Sequence, residues 1–369
     1  MKKKSIVISA VNIINGGTLT ILRECLEVLS KYVVYNNVEI YALVNNRTLC
    51  EFPNIKYIEI PWSKKSWINR VYCEYFYCKK ISQEIKPDVW LSLHDMTPNV
   101  TANVRAVYCH NAIPFYKPKI NTIKYNITEY LFSKFYKYLY RINIHKNRYV
   151  IVQQHWLREA FCKLLSISKE KVVVATTYHS NKKIAINKIA KKHSNITTFF
   201  YPSLPRTFKN FEVIGEACKI LNKKGIENFR VIITLNGTEN KYAEYIFNHY
   251  SQLKQIDFCG LLNIQDVYEM YDKTDCLLFP SKLESLGLPI AEFLPQNKPM
   301  IVSDLPYAHE TAAGGQYVSF FNPDSPESLA EQMQNVINGN LNLFKSCPSV
   351  NIEMPTVNSW QQLFDLLLK

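Results

Sequence analysis

Phe279-Pro-Ser-Lys-Leu-Glu-Ser-Leu-Gly-Leu-Pro-Ile-Ala-Glu292, followed by Lys298-Pro-Met-Ile-Val-Ser-Asp304, is the stretch on which the reading of this chain turns. Two glutamates, Glu284 and Glu292, stand on either side of seven residues that include Ser-Leu-Gly-Leu-Pro. The apolar run at 276–279 predicts a buried strand, Gly287 permits a tight turn, and Pro289 opens a helix. Proline suits the first helical turn because its missing N–H would have been unpaired there. The backbone N–H groups of Ser285, Leu286, Gly287 and Leu288 then face outward at a helix start, an arrangement suited to a phosphate. A carboxylate before that turn and another two turns into the helix can reach opposite ends of one ligand. A sugar nucleotide has that form, with hydroxyls at both ends and a diphosphate between.

Around this stretch the chain alternates short β-branched runs with longer helical ones, the pattern of an α/β fold. Strands are predicted at 5–11, 38–44, 57–60, 89–93, 105–108, 149–152 and 172–175, and helices at 19–31, 67–85, 123–141 and 156–165. The second half restarts at 197–201. It continues with a helix over 208–223, strands at 230–235 and 256–260, a helix over 264–271, strand 276–279, helix 289–295 and strand 299–303. At 369 residues the chain has room for two domains. The expected division is 1–178, a lysine-rich linker over 179–195, and 196–355, with the amphipathic end 356–369 returning to the first domain.

Hydrophobic residues make up 47% and charged ones 20%, which excludes a disordered chain. The net charge of +13 points to an anionic partner: nucleic acid, an acidic membrane or a phosphorylated substrate. Ten cysteines occur without a C-x-x-C pair or zinc spacing, which reads as reduced, buried thiols in a cytosolic protein. No secretory leader and no run of eighteen apolar residues is expected to direct the chain out of or through a membrane.

Four further clusters have residue types suited to ligands. Asn15-Gly16-Gly17-Thr18 follows the first strand, where glycines let the backbone approach a ligand, although a plain turn reads equally well. His110 and the pair His94-Asp95 end strands, where α/β folds place ligand contacts, and a satisfied half-buried imidazole is the alternative for each histidine. Arg206 and Lys209 stand three apart beside a strand-to-helix turn, so both cations can reach one diphosphate. With no D-x-D carboxylate pair to hold Mg²⁺ or Mn²⁺, the expectation is transfer without a metal or cofactor.

The Glu284–Glu292 stretch closely resembles the E-x7-E signature of retaining GT-B glycosyltransferases of the family 4 type. The residues at 301–306, Glu310 and Asn322-Pro-Asp-Ser-Pro-Glu-Ser-Leu-Ala330 look like that family too. The resemblance implies two Rossmann-like, doubly wound domains facing across a cleft. It implies that Glu292 binds the ribose hydroxyls of a nucleotide and that Glu284 holds the donor sugar. Arg206 and Lys209 would neutralise the leaving diphosphate, and His110 would contact the sugar or leaving group. Gly16 and Gly17 would line the donor diphosphate or the acceptor pocket. The sequence departs modestly: Ser285-Leu286 replaces the usual Gly-Phe, and the glycine common before the arginine is missing.

The implied function is retaining hexosyl transfer from a nucleotide sugar to a lipid-linked saccharide in O-antigen or capsule assembly, on the inner face of the bacterial cytoplasmic membrane. The aromatic and basic segment 115–148 would either dock on an anionic bilayer or pack as a core helix. A silent GT-B module and a sugar-nucleotide epimerase remain alternatives. Nucleic-acid binding has no motif in its favour.

Overall fold

The computed structural model describes residues 3–118, 120, 122–176 and 196–369. The lysine-rich connection predicted at 179–195 lies outside the described residues. The chain divides into two compact units: Met1–Asn111, Phe135–His179 and Ile352–Lys369 form the first, and Ala112–Lys134 with Ser180–Asn351 the second.

In the first unit seven strands, β1 (Lys4–Ala10), β2 (Val38–Val44), β3 (Ile55–Glu59), β4 (Val89–Ser92), β5 (Val104–Tyr108), β6 (Tyr149–Val152) and β7 (Val172–Ala175), precede the helical stretch that ends the chain. The second unit holds β8 (Thr197–Tyr201), β9 (Phe229–Ile233), β10 (Ile256–Phe258), β11 (Cys276–Phe279), β12 (Met300–Ser303) and β13 (Val318–Phe321). A two-residue strand, β14 (Thr356–Val357), returns to the first unit. The sheet orders are β14-β7-β6-β5-β4-β1-β2-β3 and β10-β9-β8-β11-β12-β13, and all strand pairs are parallel. Each sheet contains the doubly wound 3-2-1-4-5-6 order, with reversals between β1 and β4 and between β8 and β11.

Parallel strands are covered on both faces, so they read as continuous apolar runs. β4, β7, β11 and β12 are buried at every position. Alternation along β1 sends Ile6, Ile8 and Ala10 into one core and Val7 into the other. The first core is closed by the Gly16–Tyr35 helix and by the Trp360–Leu367 helix, whose Trp360, Leu363, Phe364 and Leu367 follow helical spacing. Ser359 caps that last helix by accepting from Gln362 N–H. The buried Arg158 side chain holds the returning chain by donating from Nε to Val172 O at 2.8 Å and from Nη1 to Glu353 O at 2.9 Å.

Two expectations change. The helix predicted over 123–141 breaks at Asn126, whose Oδ1 instead accepts from Glu129 N–H at 3.0 Å and starts the Ile127–Arg141 helix. Ala112–Lys134, read as part of the first domain, belongs to the second unit. There Tyr116 packs edge-on against Phe208, Tyr125 against Tyr242 and Tyr245, and the Glu129 carboxylate accepts from the Thr207 hydroxyl. Burial of those aromatic faces decides the membership of the segment.

Phe364→Ala should destabilise the first unit by about 3–5 kcal/mol, because the ring is wholly buried and the sheet beneath it cannot collapse. Thermal unfolding of the variant against the wild-type chain measures this.

Candidate functional site

In the second unit the carboxyl ends of β8 and β11 are neighbours at the reversal of strand order, so the loops that follow them meet. After β8, Thr207–Lys209 forms one short helical turn and Asn210 takes the left-handed conformation at φ 58°. The Asn210 side chain then donates to Pro280 O at 3.1 Å and to Pro323 O at 2.8 Å. Lys282 N–H reaches back to Phe208 O at 2.7 Å. These bonds dock the loop after β11 against the loop after β8.

That docking brings Lys209 and Glu284 together, although they are 75 residues apart in sequence. Lys209 Nζ donates to Glu284 Oε1 and lies 5.7 Å from the ring centres of both Phe208 and Phe279. Both side chains are mostly buried, with 16% and 14% exposed. A pair so shielded is weakly screened and holds its geometry.

Gly287 then adopts φ 79°, a conformation that disfavours a side chain, and opens the Leu288–Phe293 helix with Pro289 in its first turn. Ser285, Leu286 and Leu288 are half-buried around it. The loop is clamped from the other side by the Pro306–Thr311 helix. Tyr307 OH donates to Ser281 O at 2.6 Å, and the Thr311 hydroxyl donates to Leu286 O. Burial, and next the nearby Glu284 charge, holds the Tyr307 phenol above its ordinary range, so it remains a donor.

Glu292 faces inward: it is 7% exposed and its Oε2 accepts from the buried Tyr271 OH at 3.0 Å. Arg206 is exposed, and its charge acts on Glu129. Burial raises the Glu129 carboxyl more than Thr207 and Arg206 lower it, and Glu129 Oε2 is buried without a hydrogen-bond partner.

Gly16, Gly17 and His110 belong to the first unit. Gly16 begins the Gly16–Tyr35 helix at φ 69°, which accounts for glycine there, and Gly17 continues its first turn. His110 is buried, donates from Nε2 to Leu93 O at 2.9 Å and stacks on Tyr108 at 4.5 Å. Its Nδ1 is a buried acceptor with no hydrogen-bond partner, and burial pushes the imidazole below its usual range. Asp95 Oδ1 accepts from the N–H groups of His110 and Asn111 at 2.6 and 3.0 Å, so it holds the turn that carries the histidine.

Asn210, Tyr271, Tyr307 and Thr311 were not singled out as functional from sequence; Tyr271 bonds Glu292 and Thr311 bonds Leu286, while Asn210 and Tyr307 hold carbonyls of the adjoining loops. Only Asn210 leaves a signal, as an asparagine immediately before an apolar helical run. Among the described residues no group of three or more His, Cys, Asp or Glu side chains is arranged to hold a metal.

Residues 181–347 match the family model for Glycosyl transferases group 1. Over 237 residues, 63% of this chain, the sequence is 24% identical to O-antigen chain mannosyltransferase RfbU of Salmonella typhimurium. The alignment spans 60% of that protein's length. The fold is shared with a glycosyltransferase from Rickettsia africae, at a TM-score of 0.64 and 16% identity over 100% of this chain and 98% of the other. It is shared with HepE of Anabaena in complex with UDP-glucose, at 0.59 and 14% over 92% and 90%. The two parallel sheets are thus those of GT-B glycosyltransferases, and over residues 181–347, a little under half of its length, the chain carries a Glycosyl transferases group 1 domain.

Proposed function

We propose that this chain is a retaining glycosyltransferase that moves a hexose from a nucleotide-diphosphate sugar to a lipid-linked saccharide in surface-polysaccharide assembly, with no metal in the transfer step. The observation that carries the reading is the Lys209–Glu284 pair at the strand-order reversal, inside the matched domain. The O-antigen role of the Salmonella relative makes mannose the first donor sugar to test. An acceptor on an anionic membrane is supported by the net charge of +13 and by the exposed Leu131, Phe135 and Tyr138 on one helix with Lys134 and Lys137.

Without donor, Lys209 and Glu284 satisfy each other. A donor diphosphate draws the Lys209 ammonium to its oxygens, with the exposed Arg206 fork beside it. Glu284 is then released to accept from sugar hydroxyls near the anomeric carbon. Negative charge grows on the departing diphosphate as the glycosidic bond stretches, so fixed cations there lower the barrier. The acceptor hydroxyl attacks on the same face, and its proton passes to a departing phosphate oxygen. Glu292 holds the ribose end once Tyr271 yields or shares its carboxylate. His110 is kept neutral by burial, and its Nδ1 can accept from a hydroxyl once the turn held by Asp95 opens.

Glu284→Ala and Lys209→Ala should each lower kcat by about 10²–10³, and because each leaves a mostly buried charge without its partner, the melting temperature should fall while the chain stays folded at the assay temperature. Activity near wild type in either variant removes that residue from the site. EDTA should leave the transfer rate unchanged in a GDP-mannose assay, and a strong loss would establish a metal requirement. A melting-temperature rise with one class among UDP-, GDP-, ADP- and dTDP-sugars, and none with the others, would identify the donor base.

The histidine yields a pH prediction. Its folded-state pKa is depressed, so an unfolded chain takes up the proton first, at about pH 6.5. The stability it contributes is complete above that pH and declines as pH falls below it. His110→Gln should flatten this acidic limb of a melting-temperature against pH curve.

A further inference from the structure

A cavity of about 600 Å³ lies within the second unit, inside the range of roughly 300–1,000 Å³ that small-molecule sites occupy. Loops that follow four neighbouring strands build its floor: Thr207 and Asn210 come after β8, Lys282 after β11, Leu305 after β12, and Pro323 with Asp324 after β13. It therefore lies at the carboxyl end of the parallel sheet, where doubly wound folds take their ligands. Arg206, Lys209, Glu284 and Glu292 are not part of its lining. It adjoins them all the same, because Thr207 and Asn210 flank Lys209 and Lys282 precedes Glu284 by two residues.

The remaining wall is aromatic. Phe115, Tyr116 and Tyr125 come from the Ala112–Lys134 segment, and Tyr245 from the Lys241–Tyr250 helix. Packing sets these rings: Tyr125 lies 4.9 Å from Tyr245, and Tyr116 lies edge-on to Phe208 at 5.9 Å. All are half-buried, so part of each ring is left to the cavity. Burial pushes the Tyr116 phenol up to about 12 and raises that of Tyr125, so both stay protonated as donors.

The charges of the lining narrow the choice of occupant. Lys117 and Lys282 are balanced by Glu212 and Asp324, so the lining has no net charge. A phosphate there would meet two carboxylates, and a hydrocarbon would strip water from charged groups without replacing it. A neutral sugar meets both kinds of surface. Its ring C–H groups suit the electron-rich face of an aromatic ring, and its hydroxyls both donate and accept. A carboxylate has about four lone-pair sites, so Glu212 and Asp324 can take sugar hydroxyls while keeping their bonds from Tyr242 and Lys282.

We infer that this cavity binds a neutral saccharide, with its rings against Tyr116, Tyr125 and Tyr245 and its hydroxyls on Glu212 and Asp324. The inference rests on the glycosyltransferase reading in one respect: there the bound sugar is the end of the acceptor, held beside the Lys209–Glu284 pair.

Saturation-transfer NMR titration of the intact chain with mannotriose, maltotriose and triacetylchitotriose tests this, with inorganic pyrophosphate as a charged competitor. At least one trisaccharide should bind, and pyrophosphate should not displace it. Tyr125→Ala and Tyr245→Ala should each weaken that binding by about tenfold. Asp324→Ala, on an exposed side chain whose loss leaves the core intact, should weaken it as well. All three variants should keep the sugar-nucleotide melting shift of the wild-type chain. Overturning results are no binding of any trisaccharide to the folded chain, displacement by pyrophosphate, or binding that the three variants leave untouched. Saccharide binding without a sugar-nucleotide shift would keep this site and remove the donor reading, and a shift without saccharide binding would do the reverse.

Discussion

A parallel sheet whose strand order reverses once leaves two neighbouring strands with their following loops free to diverge, and every chemical feature of this chain is placed by that constraint. In the second unit the ends of β8 and β11 are adjacent, so loops from distant parts of the sequence have to meet. Asn210 turns that proximity into fixed geometry by spanning from one loop to carbonyls of two others. The Lys209–Glu284 pair follows from it. In the first unit the same reversal joins the residues after β1 to those after β4, and there His94 shares the buried Glu74 carboxylate with Arg70.

The two sites differ in how charge is balanced. Lys209 has Glu284 and two aromatic faces, so it is stable without a ligand, and on the proposed reading it exchanges one partner for another when a phosphate arrives. Such an exchange would keep the number of charge contacts nearly constant. Arg70 shares the buried Glu74 carboxylate with His94.

Much of the fold was legible because buried parallel strands announce themselves as apolar runs. β2, β6, β7 and β11 fall at the residues the sequence predicts, and Gly287 with Pro289 marks the turn and helix start. The two-residue β14 carries no pattern of its own and exists because β7 offers an open edge. Tyr245 and its helix Lys241–Tyr250 escaped notice because polar residues interrupt the apolar spacing. At the candidate site a linear reading names residues but not their partners. Nothing in a linear reading tells Lys209 that Glu284 is its neighbour, or that Glu292 lies against Tyr271. Arg70 and Glu74 were hidden most completely, since an i,i+4 pair on a helix reads as a solvated surface bridge unless the sheet beneath it is known.

The inward placement of Glu292 bears on how a donor pocket would form on the proposed reading. Its carboxylate is held by Tyr271, whose ring is itself wedged among Phe200, Tyr268 and Phe293. An aromatic wedge of this kind resists rotation, so Glu292 is held in one orientation by packing as well as by its hydrogen bond. Tyr307 and Thr311 hold the Ser281 and Leu286 carbonyls on the opposite side. The turn between the two glutamates is therefore fixed at both shoulders, while Glu284 at its mouth is restrained only by a lysine that a phosphate can draw away. On the proposed reading this gives rigidity at the nucleotide end and an exchangeable contact at the sugar end, the division that group transfer needs.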